Sequence, residues 1–574
     1  MLSFVLAPTC RGALAALLVL GWIATPGAGR AQAPAGDALL PLLRAELDRN
    51  FGELKKTANP APYFISYLVV EERAETLSAS LGALTDSGRS HRRLFDCSVR
   101  VGSPEFDNFK VLNGERTRFT ATAQLPVEDD ALAIRNLVWR QTDRSWRGAA
   151  QRYIQIKARS QVQQEGSGLP EFTAEEPVQS RGEVAKPAWP AADWGPRIKR
   201  LSQRTGGEAA VLNLSIALSY RHEIRTFVNT EGSEIRHGRG FARLTIMARG
   251  KATDGQDVVT TESFEAEDAA KLPNENVLGE AVDRVVKSLA GQMMVLPAEP
   301  YVGPAILSGR AAGVFFHEIF GHRVEGHRQR DEQEGQTFAN SLGEPVLPEF
   351  LSVVFDPTKK NMAGTDLHGW YDFDDEGVPA RPVTVVEKGK LREFLMARTP
   401  LPNFAKSNGH GRKQPGLEAL PRQSNLIVQS GKRVSEKELR AMLIAEIRRQ
   451  GKPYGLYFDQ VTGGYTTTQR RGLQAFTVIP LVVYQVFPDG RPDRLVRGVD
   501  IVGTPLASFG KILATGDRDE VFNGYCGAES GSVPVSAVAP AMLVSEIEVQ
   551  RKPAPTDRPP LLRRPQALDG GAGL

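Results

Sequence analysis

Two histidines five positions apart, His317 and His322, sit in an apolar stretch on either side of Glu318 and Gly321. That spacing constrains the fold more than any other feature of the chain. In a regular α-helix, residues five apart point about 140° away from each other, whereas residues four apart differ by only about 40°. If both imidazoles serve one partner, the helix must distort between them, by a π-bulge or by ending. Gly321, immediately before the second histidine, is expected to permit this, because glycine tolerates backbone angles that other residues avoid. The whole segment reads Gly313-Val314-Phe315-Phe316-His317-Glu318-Ile319-Phe320-Gly321-His322-Arg323-Val324-Glu325-Gly326-His327 and holds three of the chain's eight histidines.

A His-Glu pair followed by a second histidine is what hydrolytic zinc chemistry requires. Two neutral imidazoles hold a cation without cancelling its charge, and an adjacent carboxylate takes the proton from a polarised water. His317 and His322 are therefore candidate metal ligands, and Glu318 is the candidate catalytic base. A zinc ion then lacks a third protein ligand. Glu325 and His327 are the near candidates; Asp366, His368, His410 and Cys526 are the remote ones. Cys526 lies in Asn523-Gly524-Tyr525-Cys526-Gly527-Ala528-Glu529, which reads as an accessible glycine-flanked loop ahead of a strand. As thiolate it would suit zinc. The residues alone leave Cys526 and His327 both open.

The segment Gly313–Gly326 resembles the metal motif of the TldD/PmbA family of metallopeptidases. So do Asn408–Arg412, Pro421–Asn425, Thr462–Gly464 and Cys526–Val535, in that family's order, and the similarity runs from about Ala305 to Gln550. The resemblance implies zinc, one ion per active subunit, held by His317, His322 and Cys526, with Glu318 as general base. It also implies a dimer, either of identical chains or of this chain with a homologous subunit, acting on short or unfolded peptides. The alternative is a catalytically silent metal-binding or scaffolding subunit of such a pair. His327 departs from the family pattern, standing where an acidic residue is more usual, and reads as a neighbour of the ligands or a surface residue.

Composition limits other readings. Of 574 residues, 71 are basic and 67 acidic, a net charge of +4, so no clustered basic surface argues for nucleic acid. The pairs Arg92-Arg93 and Arg470-Arg471 read as solvated surface. At the N-terminus, Arg11, the apolar run from Ala13 to Trp22 and the small-residue stretch Ala31-Gln32-Ala33 read as a signal peptide over residues 1–33. The run is shorter than the roughly 20 residues of a permanent membrane span. The expectation is an exported, periplasmic or extracellular protein. With Cys10 inside that segment, only Cys97 and Cys526 remain, too few for a disulfide scaffold, although a bridge between them would remove Cys526 as a ligand.

The expected fold class is α+β. An N-terminal α/β domain (37–190) begins with a helix from Asp37 to Lys56, then strands Tyr63–Val70 and Arg93–Val101 and a helix over about Glu128–Gln164. A β-meander and helix follow (197–300), with strands Val211–Tyr220, Glu223–Asn229, Ala242–Arg249 and Asp257–Glu265 and a helix Asn276–Met293. A larger sheet-rich metallopeptidase domain (301–550) carries the motif on a distorted helix, and residues 551–574 read as a disordered tail. The acidic cluster Asp372, Asp374, Asp375 and Glu376 lacks the spacing of a calcium loop and reads as a solvated turn.

Overall fold

The computed structural model describes residues 38–552, apart from 112–115, 117–120, 161–168, 183, 185, 188, 206–210, 253, 472–473 and 505–507. The first sheet is built on two long hairpins. Pro62–Ser80 pairs antiparallel with Ala83–Ser103 on one side and with Asn213–Asn229 on the other. Glu234–Lys251 and Asp257–Ala266 extend the sheet outwards. It therefore runs across the two segments that the sequence divides at residues 190 and 197.

These strands are much longer than the apolar runs Tyr63–Val70 and Arg93–Val101, because charged residues continue the ladder. Arg93 is bound to Glu71 at 2.9 Å and Arg92 to Glu72 at 2.7 Å across the paired strands. Opposite charges facing each other stabilise a sheet much as apolar pairs do. Arg93 is buried rather than solvated. One sheet face packs on helices at both ends. Leu39–Thr57 and Ala131–Ser160 bury Leu40, Leu43, Ile134 and Val138 against Tyr67, Phe95 and Cys97. Ala191–Ser202 and Glu275–Met293 cover Leu77, Leu214, Leu244 and Ile246. The other face, with Leu68 and Val70, turns towards the second half of the chain, where Phe373 packs against it.

Five strands of the second sheet close into a ring. From Gly531–Arg551 the ladder passes through Val499–Gly503, Phe476–Val486, Gly455–Thr466 and Tyr301–Leu307, and Tyr301–Leu307 pairs back with Gly531–Arg551. Closure removes exposed edges. The motif helix, Gly309–Ile319, starts directly after Tyr301–Leu307 and is capped by Ser308, whose hydroxyl accepts from the Ala311 amide at 3.2 Å. Phe315, Phe316 and Phe320 are fully buried in the largest core cluster. Each such side chain contributes about 1.5–3 kcal/mol. The architecture is α+β, a helix-plus-sheet half followed by a sheet-rich half.

The reading of the N-terminus as a signal peptide of a periplasmic protein is withdrawn. Residues 1–33 lie outside the described residues, and nothing in the described structure carries that reading. Among the described residues no helix is long and apolar enough to cross a membrane. The tail expected to be disordered also lies outside them beyond residue 552.

Candidate metal centre

The motif helix lies flat on the strand Gly531–Arg551 because one of its rows has no side chains. A Cβ at Gly309 would stand 2.5 Å from the Ala539 carbonyl, and one at Gly313 would stand 3.1 Å from that of Ala537. Residues four apart share a helix face, so the next member of that row is His317. It is thereby held against the hairpin that carries Cys526.

The helix ends at Ile319, and a 3₁₀ turn, Gly321–Val324, follows. Ending, not a bulge, brings the second histidine round. The reason for glycine at 321 differs from the expected one. Gly321 does not adopt a positive φ; a Cβ there would overlap the Gln423 side chain at 2.0 Å. Gln423 uses that space to donate from Nε2 to the His317 carbonyl at 3.2 Å. Arg323 covers the other carbonyls left open by the helix end, donating to those of Glu318 (2.9 Å) and Ile319 (3.2 Å).

Cys526 sits within the strand Ile512–Ala528, opposite Val533, and is buried, so the expected accessible loop is a hairpin arm. Its glycine neighbours are strand residues beside the turn at Glu529–Ser530. Cys526 and Cys97 are both free thiols, and Cys97 lies in the N-terminal core.

The structure brings together three of the residues singled out in the sequence. The ligating atoms of His317, His322 and Cys526 lie within 4.8 Å of one another. The Cys526 sulfur is 3.4 Å from His322 Nε2. Glu318 stands beside them, its Oε2 3.9 Å from the same nitrogen. Gly464 makes room for it, since a Cβ there would stand 2.7 Å from Glu318 Cγ. The other ligand candidates are elsewhere. His410 is bound to Ser424, His368 is stacked on Phe241, and Asp366 is bound to Asn361. His327 is buried, 3.9 Å from Glu529. Glu325 touches His322 from behind.

That contact completes a relay the sequence did not reveal. Glu325 Oε2 accepts from His322 Nδ1 at 3.3 Å, which leaves Nε2 free to face Cys526. A carboxylate behind a histidine fixes its tautomer and orientation for a metal. Glu325 is held in turn by Arg328 at 2.8 Å and Arg422 at 3.4 Å. Arg328 reaches Glu529 in the hairpin turn at 2.9 Å, and Arg422 donates to the Cys526 carbonyl at 2.7 Å. Two arginines thus lock the cysteine hairpin to the histidine segment. Arg422 and Gln423 fall within the Pro421–Asn425 motif, which was the available signal, although nothing in its spacing gave them roles.

The electrostatics favour a cation. Burial opposes ionisation of Cys526, but His322, His317 and Arg422 outweigh it and hold the thiol well below its usual range. Burial likewise opposes protonation of His322, yet the Cys526 sulfur and Glu325 push it up to about 10. Burial raises the Glu318 carboxyl, with the two imidazoles opposing. With both imidazoles neutral, as metal ligation requires, Glu318, Glu325, Glu334, Glu529 and the thiolate exceed Arg323, Arg328 and Arg422 by two charges among the described residues. One divalent ion would offset that excess. Tetrahedral zinc ligands stand about 3.5 Å apart, so small side-chain adjustments suffice. The donor set and its charge fit a metal.

His317 and Glu318 open onto a cleft of about 530 Å³ between the motif helix, the strand Gly455–Thr466, the cysteine hairpin and the first sheet. The arrangement offers a metal position, a carboxylate beside it, and an approach for a ligand.

Residues 301–551 match the family model described as PmbA/TldA metallopeptidase C-terminal domain. A metalloprotease TldD homologue of Haemophilus influenzae is 27% identical over 250 residues, 43% of this chain and 48% of that one. A zinc metalloprotease TldD homologue of Saccharolobus solfataricus is 22% identical over 345 residues, 58% of this chain and 71% of that one. Against several curated relatives the match spans about half their length. Among solved structures, TldE from Thermococcus kodakarensis has a TM-score of 0.59 at 14% identity, covering 89% of this chain and 100% of that one. That likeness concerns the fold.

Proposed function

Residues 301–551 belong to the TldD/PmbA family, and from that premise we propose that this chain is a zinc-dependent peptidase acting on short or unfolded peptides. The observation that carries this reading is the convergence of His317, His322 and Cys526 within 4.8 Å, with Glu318 beside them at the cleft. His317, His322 and Cys526 would hold the ion. When bound, zinc supplies Lewis acidity, lowering the pKa of water and polarising a carbonyl.

The remaining work falls to the chain's own residues. Glu318 Oε2 takes a proton from the attacking water and delivers it to the leaving amine. Burial raises that carboxyl, so it takes the proton from water more readily than a solvated glutamate would. Glu325 keeps the His322 Nδ1 proton in place and so presents Nε2 as a lone pair. The cleft, walled by the strand Gly455–Thr466, is where an extended peptide would lie in this reading. Assembly with a second, homologous subunit is part of the proposal, supported by the likeness to TldE and TldD proteins.

The test uses protein purified without added metal. Elemental analysis should return one zinc per chain, and an unstructured peptide should be cleaved until a chelator is added. Glu318→Ala should retain the metal and lose about 10²–10⁴-fold in turnover. Equal turnover in both proteins would remove Glu318 from its role and leave a silent metal-binding subunit.

A further inference from the structure

Between the two sheets lies a second cavity, of about 390 Å³, that none of the three metal-cluster residues lines. Its walls are unusually basic. Six of the residues lining it are arginine or lysine and three are acidic. Most of these charges are matched. Arg92 and Arg221 share Glu72 at 2.7 and 3.1 Å, Arg225 is bound by Glu223 and Asp375, and Lys413 reaches Asp96 at 2.6 Å. Two guanidiniums are left over. Arg239 donates from Nη1 to the carbonyls of His368 (3.1 Å) and Trp370 (2.8 Å). Arg412, itself buried, donates to those of Gln423 (2.6 Å) and Pro534 (2.8 Å). Among the described residues neither has a carboxylate within ion-pairing distance.

A buried charge without a counter-charge is expensive, and carbonyl dipoles repay only part of the lost hydration. The cost is visible in the side chains themselves. Burial and repulsion from Arg239 and Arg225 lower Arg412 to about 9, against a weaker upward pull from Tyr371. His368 is held neutral by burial and by the four surrounding arginines Arg239, Arg243, Arg221 and Arg412. Its ring is stacked on Phe241 at 3.6 Å, and its buried Nε2 has no hydrogen-bond partner among the described residues.

We propose that this cavity is an anion-binding site, in which Arg239, Arg412 and His368 Nε2 receive an oxyanion, either a peptide carboxylate or a small inorganic anion. Guanidiniums suit the geometry because they offer paired donors to two oxygens. Tyr525, the neighbour of Cys526, borders both this cavity and the metal cleft, so an occupant would touch the strand that carries the cysteine. The site stands on its own charges and does not require the peptidase reading.

The experiment measures the unfolding temperature of the full chain in inorganic phosphate against chloride of equal ionic strength. Parallel samples carry a hexapeptide with a free or an amidated C-terminus. Wild type should show a saturable rise with phosphate, with the free-acid peptide, or with both. Arg239→Gln should lose that rise, while Arg239→Lys keeps part of it. In chloride alone Arg239→Gln should unfold at the same temperature as wild type or higher, because an unmatched charge is gone; a purely structural arginine would give a fall. Binding of an anion at the metal centre would survive in Arg239→Gln, so only the difference between the two proteins counts. No rise in wild type beyond chloride, or an equal rise in Arg239→Gln, would overturn the proposal.

Discussion

The metal centre and the cavity between the two sheets are mirror images in charge. At the metal centre, anionic groups outnumber the arginines and the cluster draws in a proton at His322. In the cavity between the sheets, guanidiniums outnumber the carboxylates and His368 refuses a proton. One site lacks a cation and the other an anion. The lesson is that burial alone does not decide what an interior does; the sign of its unmatched charge does. Removing a cation from the first interior should therefore be costly, and removing one from the second should not.

The sharpest form of that contrast is a pair of arginine substitutions. Arg422→Ala strips Glu325 and the Cys526 carbonyl of their shared, fully buried partner. It should cost about 3–5 kcal/mol in urea unfolding, where Arg239→Gln costs almost nothing. Equal losses would break the comparison. Next in size, Glu325→Gln keeps an acceptor for His322 Nδ1 but removes the charge behind it, and should weaken metal binding about 10–100-fold in a chelator competition. Unchanged affinity would mean that Glu325 only neutralises Arg328.

Gly321→Ala should destabilise by about 1–3 kcal/mol through overlap with Gln423. Adding Gln423→Ala should recover part of that loss, since the space is then vacated; a strained backbone would give no recovery. An effect of similar size concerns pH. Burial holds His410 near 3, far below its ordinary 6.5. The unfolded chain then binds the extra proton first, so the stability that His410 contributes is complete above about pH 6.5 and is lost as pH falls towards 3. The slope is about 1.4 kcal/mol per pH unit. Urea midpoints between pH 7 and 5 should drop less steeply in His410→Gln than in wild type.

Much of this was legible in the sequence, for identifiable reasons. The five-residue spacing of His317 and His322 required a broken helix, and the helix ends at Ile319. Periodicity placed the helix Glu275–Met293 within a residue of its bounds. What escaped depends on contacts between distant segments. Gly321 is explained by Gln423, not by its own backbone. The strands Pro62–Ser80 and Ala83–Ser103 outrun their apolar cores because charges such as Glu71 and Arg93 are matched only once paired. Cys526 reads as loop because glycines flank it, whereas the hairpin formed with Gly531–Arg551 accommodates them as strand residues. The cluster around Asp374 looked solvated, yet Asp374 and Asp375 are buried, Asp374 accepting from the Val378 and Gly411 amides at 2.9 Å.

The central claim is that one sulfur and two imidazoles share an ion. X-ray absorption at the zinc edge of metal-replete protein tests it most directly. The account predicts one sulfur at about 2.3 Å and two imidazole nitrogens at about 2.0–2.1 Å, with the sulfur scatterer absent in Cys526→Ala. A shell of nitrogen and oxygen alone in wild type would contradict it.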